Sequence, residues 1–263
     1  MVRGLDLFQK QFESFKGQYI LIGGAACDLL YEDAGLEFRA TKDLDIVLCL
    51  ESLDPKFTEA FWAFVRSGGY RMRERSSGRP EHFRFMKPTN EKYPFMLELF
   101  SRKPDNLVLP DDQRVTSIPT SEDASSLSAI LLDDDYYHLL HSGTREVSGI
   151  PVVRSEYLIV LKAKAYIDLT IRKDRGEAVE DKVIKKHKND VFRLFMIVEP
   201  DLSIELPASI REDMRRFVNS MEKENVDLKE LGLGGETMKS VLMTLKKIFV
   251  IEDESYRGQK LDP

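Results

Sequence analysis

The chain is expected to adopt an α+β fold in two parts, a mixed β-sheet with flanking helices over residues 1–150 and a helical domain over 151–263. Three observations lead there. Short apolar runs bounded by glycine, proline or aspartate recur through the first part, as buried strands do. Between them lie stretches whose apolar residues return every three or four positions, the period of a helix with one buried face. Beyond Arg154 only the helical period persists.

Taken in order, residues 5–15 place Leu5, Phe8, Phe12 and Phe15 on one helical face, and Gly17 ends the helix. Tyr19-Ile20-Leu21-Ile22 is a buried strand, after which Gly23-Gly24 opens a second helix through AACDLLYE. Residues 33–42 form a polar loop. The second strand starts at Asp43-Leu44-Asp45 and runs apolar to Leu50, and Asp54-Pro55 introduces a helix over 56–67 that stops at Gly68-Gly69. Its Phe57, Phe61, Trp62 and Phe64 are at core spacing. YRMRER, HFRFMK and PFMLELFSR are three strands. The second alternates Phe83 and Phe85 against Arg84, and the third is apolar enough to be central. Residues 103–128 show no clear period. YYHLLHSGTREVSGIPVV is expected to be a hairpin with HSGT as its turn, and Asp133-Asp134-Asp135 a solvated turn before it. Helices then span 154–171, 180–198, 207–223 and 236–250, with Ser155-Glu156 opening the first and Pro207 in the first turn of the third.

Composition narrows the class. Of 263 residues, 42% are hydrophobic and 32% charged, which excludes a disordered, collagenous or coiled-coil chain. A formal net charge of -6 excludes the broad basic field of a nucleic-acid coat. Cys27 and Cys49 have neither metal-ligand nor disulfide spacing and are expected to be buried thiols. The four histidines, His82, His138, His141 and His187, show no metal-binding spacing. No leader-like apolar core or membrane-length run is present, so no membrane is expected as a partner and the cytoplasm is the expected location.

Three features of the first part fit one chemistry. A strand followed by Gly23-Gly24 and a helix lets backbone approach a ligand and offers helix N–H groups to phosphate, although a tight turn uses the same residues. Asp43 and Asp45, two apart in a strand, put both carboxylates on one side, where they repel unless a cation lies between them. Hard oxygen donors suit Mg²⁺. Glu98 is a lone carboxylate in an apolar strand, costly there unless it binds a metal or forms a salt bridge, with Arg84 and Arg102 as the partners at hand. Together these are the parts of metal-assisted phosphoryl transfer, with Asp43, Asp45 and Glu98 as metal ligands and catalytic carboxylates. Lys42, beside Asp43, and Arg39 are within loop reach of a phosphate. Segment 162–193 adds ten Lys or Arg against six acids, which suits nucleotide or tRNA phosphates and equally suits a solvated helix face.

ILIGGAACDLLY followed by ATKDLDIVL resembles the glycine-pair and DxD signature of the DNA polymerase β-like nucleotidyltransferase superfamily, and is closest to its AbiEii/MenT-type toxin branch. GIPVVRSEYLIVLKAKAY and KKHKNDVFRLF resemble two further segments of that branch. The resemblance implies a nucleotidyltransferase-type sheet with a helical domain behind it. It also implies transfer of a nucleoside monophosphate from an NTP to an acceptor hydroxyl with Mg²⁺. Gly23, Gly24, Lys42, Lys162 and Asp190 would bind the nucleotide, Lys162 by neutralising phosphates and Asp190 by positioning Lys162 or nucleotide groups. The implied partners are tRNA or another RNA acceptor and a cognate antitoxin protein. The glycine pair replaces the wider superfamily's Gly-Ser, and His187 stands where many relatives carry an acid. An aminoglycoside-type nucleotidyltransferase and a non-catalytic nucleotide-binding module share the same features.

Overall fold

The computed structural model describes residues 2–74, 80–102, 115–118 and 127–251, in two compact units, Met1–Arg154 and Ser155–Pro263. The division falls at the start of a helix and not at residue 150, because the strand around residue 150 is hydrogen-bonded into the sheet of the first unit.

The first unit opens with α1 (Leu5–Phe12), continued by a 3₁₀ turn at Glu13–Phe15. β1 (Tyr19–Ile22) runs directly into α2 (Gly23–Asp33), and β2 (Asp43–Leu48) follows a loop. α3 (Pro55–Gly68) begins where the Asp54 side chain accepts a hydrogen bond from the Phe57 amide at 2.9 Å, and ends on Gly69 in the left-handed region at φ 62°. β3 (Arg71–Glu74), β4 (Pro80–Met86), β5 (Met96–Ser101), β6 (Val115–Ile118) and β7 (Leu127–Leu131) come next. α4 (Asp134–Ser142) and the hairpin of β8 (Thr144–Val147) and β9 (Ile150–Val153) complete the unit.

The hairpin lies later than the sequence suggests. Residues 136–142 are helical, with Asp133 as N-cap accepting from the Asp135 amide, and Asp134 and Asp135 in the first turn beside the positive end of the helix dipole. The acid run is thus a helix start, and Tyr136, Tyr137, Leu139 and Leu140 form the buried face. The turn falls on Ser148 and Gly149, whose φ values of 49° and 81° meet the demand of a two-residue hairpin for positive φ at both positions.

Among the described residues the strands form one mixed sheet in the order β3-β4-β5-β2-β1-β9-β8. β2 runs parallel to β5 and antiparallel to β1, which is parallel to β9. One edge of β5 is shared along its length: β4 pairs with its first half, through Glu98, and β7 with Phe100 and Ser101. Register assigns the faces. Tyr19 and Leu21 lie beside Leu48 and Ile46, and Leu44 and Ile46 beside Leu97 and Leu99, so these residues share one side. That side meets Phe8, Phe12, Phe57, Phe61 and Phe64 from α1 and α3, with neighbouring rings 4.4–6.2 Å apart. Phe85 joins the layer against Phe61, and Trp62 packs on Phe85. The polar residues of β2 and β5 therefore emerge on the opposite face.

The second unit contains α5 (Ser155–Asp174), α6 (Asp181–Phe195), α7 (Ala208–Met221) and α8 (Met238–Ile248). Tyr166 and Phe192 both pack on Phe217. Pro207 is the residue before the first turn of α7, one position earlier than expected. Thr237 and Ser240 form a capping box on α8. Among the described residues no helix is long and apolar enough to cross a membrane.

Candidate active site

Four strands bring one transverse row of residues together. Ile22 on β1 lies opposite Asp45 on β2, Asp45 opposite Glu98 on β5, and Glu98 opposite Arg84 on β4. Directly paired residues project to the same side of a sheet, and so do residues two apart in a strand. Asp43, Asp45, Glu98 and Arg84 thus share the face away from the aromatic layer. Asp43 and Asp45 are half-buried, and Glu98 is buried.

The glycine pair has a defined task here. Gly23 has φ 69°, and a Cβ placed on it would overlap Asp45 Oδ2, while one on Gly24 would overlap Thr41 Oγ1. The backbone where α2 begins is therefore bare so that the Asp45 carboxylate can come against it. A negative group at a helix N-terminus is favourable. Sequence alone suggested a glycine loop around a ligand, and the first group it accommodates is the chain's own aspartate.

Glu98 is engaged by Arg84, whose Nε and Nη2 both donate to Glu98 Oε1. Arg102, the other cation considered, pairs instead with Glu51 at 2.8 Å. The strand alternation of Phe83, Arg84 and Phe85 places Arg84 on the polar side, but its meeting with Glu98 depends on strand register, which a local pattern does not encode.

The donor set of Asp43 and Asp45 is wholly oxygen and anionic, and it fits a hard divalent ion such as Mg²⁺. The trio with Glu98 is not closed in this structure. Among the described residues no group of three or more His, Cys, Asp or Glu side chains is arranged to hold a metal ion.

Lys42 is exposed, with its ammonium 4.1 Å from the centre of the Phe95 ring, a cation–π contact that holds it next to the start of β2. Lys162 and Asp190 belong to the second unit, where α5 and α6 bring them 3.5 Å apart, both buried. Arg193 adds a second cation to Asp190 at 3.4 Å. The basic strip is extensively neutralised: seven of its ten cations (Lys162, Lys164, Arg172, Lys173, Lys182, Lys188 and Arg193) have carboxylate partners.

A second polar cluster lies past the end of β2. The Tyr137 hydroxyl donates to Glu51 Oε2 at 2.7 Å and accepts from the Leu50 amide at 2.9 Å. Burial, with Glu51 nearby, pushes the Cys49 thiol up to about 12, so it is no nucleophile at neutral pH. Burial also pulls His141 below the ordinary imidazole value, outweighing the attraction of Glu51, so the ring packed on Tyr137 at 4.5 Å stays neutral.

No protein-family model matches the chain, and no curated relative does. Solved structures that match the chain include two at low identity. An antigenic nucleotidyltransferase-like protein from Paracoccidioides brasiliensis is 15% identical with a TM-score of 0.42, covering 90% of this chain and 89% of that one. JHP933 from Helicobacter pylori is 15% identical with a TM-score of 0.43, covering 93% and 90%.

Proposed function

We propose that the chain is a nucleotidyltransferase, moving a nucleoside monophosphate from an NTP to an acceptor hydroxyl with release of pyrophosphate. The observation that carries this is the alignment of Asp45 with Glu98 across parallel strands, with Asp43 on the same side and Asp45 seated against the positive-φ glycine that begins α2. Asp43 and Asp45 are the residues that would hold Mg²⁺, which when bound supplies Lewis-acid stabilisation of the triphosphate charge. Amide groups at the start of α2 donate to phosphate oxygens. Glu98 would act as the base on the acceptor hydroxyl. In the second unit Lys162 and Asp190 form a buried ion pair.

In its narrower form this activity is that of a toxin acting on tRNA or another RNA and neutralised by a cognate antitoxin. Its support is the resemblance of the glycine-pair, DxD, Lys162 and Asp190 segments to that branch. Titration calorimetry with NTP and Mg²⁺ tests the site. The wild-type protein gives a binding heat, and the Asp43→Ala/Asp45→Ala variant gives none. Equal heats would remove the aspartates from the chemistry. Incubation with labelled NTPs and either total tRNA or an aminoglycoside panel tests the acceptor. Label entering only the small molecules overturns the RNA version.

A further inference from the structure

The acid face of the sheet carries a second transverse row, one step nearer the start of β2. Asp43 lies opposite Met96 on β5, Met96 opposite Met86 on β4, and Met86 opposite Arg71 on β3. Directly paired residues project to the same side, so all four share the face of Asp45 and Glu98. The chain neighbours Phe85 and Leu97 are fully buried on the aromatic side, whereas Met86 and Met96 are half-buried and Arg71 is exposed. Lys87, which follows Met86, is exposed as well. Among the described residues neither Arg71 nor Lys87 has an ion-pair partner, in contrast to most of the basic strip in the second unit.

Two adjacent thioethers open to solvent are a polarizable apolar seat for an aromatic ring. The cations beside them offer charge to phosphate. The row leads from Asp43 toward β3, whereas Gly23 and the start of α2 meet Asp45 from the β1 side. A triphosphate at α2 and a ligand on the methionines would therefore approach the aspartates from opposite directions. A ring joined to phosphates is a nucleotide unit, and a base is fully open to such a seat only where it is unpaired.

We propose that Met86 and Met96 seat a base at the single-stranded end of a nucleic acid acceptor, whose phosphates meet Arg71 and Lys87. This rests on the nucleotidyltransferase function proposed above and gives that reaction's acceptor a place on the sheet.

The test is fluorescence anisotropy of a labelled single-stranded oligoribonucleotide with the full chain, without NTP, across a series of salt concentrations. Arg71→Gln and Lys87→Gln are each expected to make log affinity against log salt shallower by about 0.7, the share of one phosphate contact on a single strand. Met86→Ala/Met96→Ala is expected to weaken binding about fivefold at an unchanged slope. Met86→Gln provides the same readout if the alanine pair fails to fold. Absence of binding by the wild type overturns the proposal. So do unchanged affinity in the methionine variant, unchanged slopes in both cation variants, and equal weakening on a fully paired duplex. NTP–Mg²⁺ calorimetry separates the two levels. If the methionine variant loses that heat while keeping its RNA affinity, the row belongs to the donor nucleotide and the proposal falls. If Asp43→Ala/Asp45→Ala gives the wild-type heat, the function itself fails and the acceptor seat with it. If the aspartate variant loses the heat while the row variants bind RNA as the wild type does, only the acceptor seat fails.

Discussion

Gly23 shows how much a single missing side chain can decide. Its φ of 69° and the approach of Asp45 Oδ2 both require hydrogen in place of Cβ. Gly23→Ala is therefore expected to cost about 1–3 kcal/mol from the backbone alone. It should also push Asp45 out of line with Glu98. Urea denaturation checks the first effect, and loss of the calorimetric NTP–Mg²⁺ signal in the folded variant checks the second. A variant as stable as wild type would show that the aspartate does not need this approach. The glycine pair and the two aspartates were visible in the sequence because chain neighbours determine which side they face. Arg84 was visible only as a candidate partner, since its distance from Glu98 depends on how two strands pair.

Helix α4 docks on the end of β2 through Tyr137, and this contact responds to pH. Burial raises the Glu51 carboxylate, but hydrogen bonds from Tyr137 and Arg102 more than offset it, so the group is held below the usual carboxylate range. A depressed carboxylate contributes stability that is present above its unfolded value and lost as pH falls through its folded value. His141, depressed by burial, contributes in the same direction, losing stability as pH drops below about 6.5 toward its folded value. Tyr137→Phe is expected to cost about 0.5–1.5 kcal/mol at neutral pH. It should also flatten the Glu51 part of the acid limb, measured by urea unfolding at neutral and acid pH. An acid limb of unchanged slope would show that Glu51 titrates independently of the tyrosine. This helix was misread from sequence. Paired tyrosines suggest a strand, and the aspartates before them, which cap the helix, resemble an ordinary turn. The strands themselves were legible, being apolar runs with clear punctuation.

Charge across the chain bears on the acceptor. A basic segment in which seven of ten cations already pair with carboxylates offers RNA fewer counterion-releasing contacts than ten open cations would. Ten unpaired cations meeting phosphates would give a slope of log affinity against log salt of about −9. tRNA binding here is expected to be much shallower, as a filter-binding series across salt concentrations would show. A slope near that limit would mean that the ion pairs open on binding. Composition excluded a dedicated nucleic-acid coat, but it could not reveal the pairs made between helices, such as Lys162 with Asp190 and Lys164 with Asp213, whereas Arg172, Lys182 and Arg193 meet acids two to five residues away along the chain.

The shared edge of β5 makes the position of Glu98 a matter of counting. Clamped between β2 and β4, the strand cannot slide without breaking both ladders, and its alternation puts Leu97 and Leu99 on the aromatic side. One extra residue inserted between Leu97 and Glu98 would turn the carboxylate into the apolar layer, put the inserted residue opposite Asp45 and move Leu99 to the aspartate side of the sheet. Lengthening the connection before Met96 would leave the parity intact. Tolerance to insertion along this segment should therefore change abruptly at the first residue of the strand.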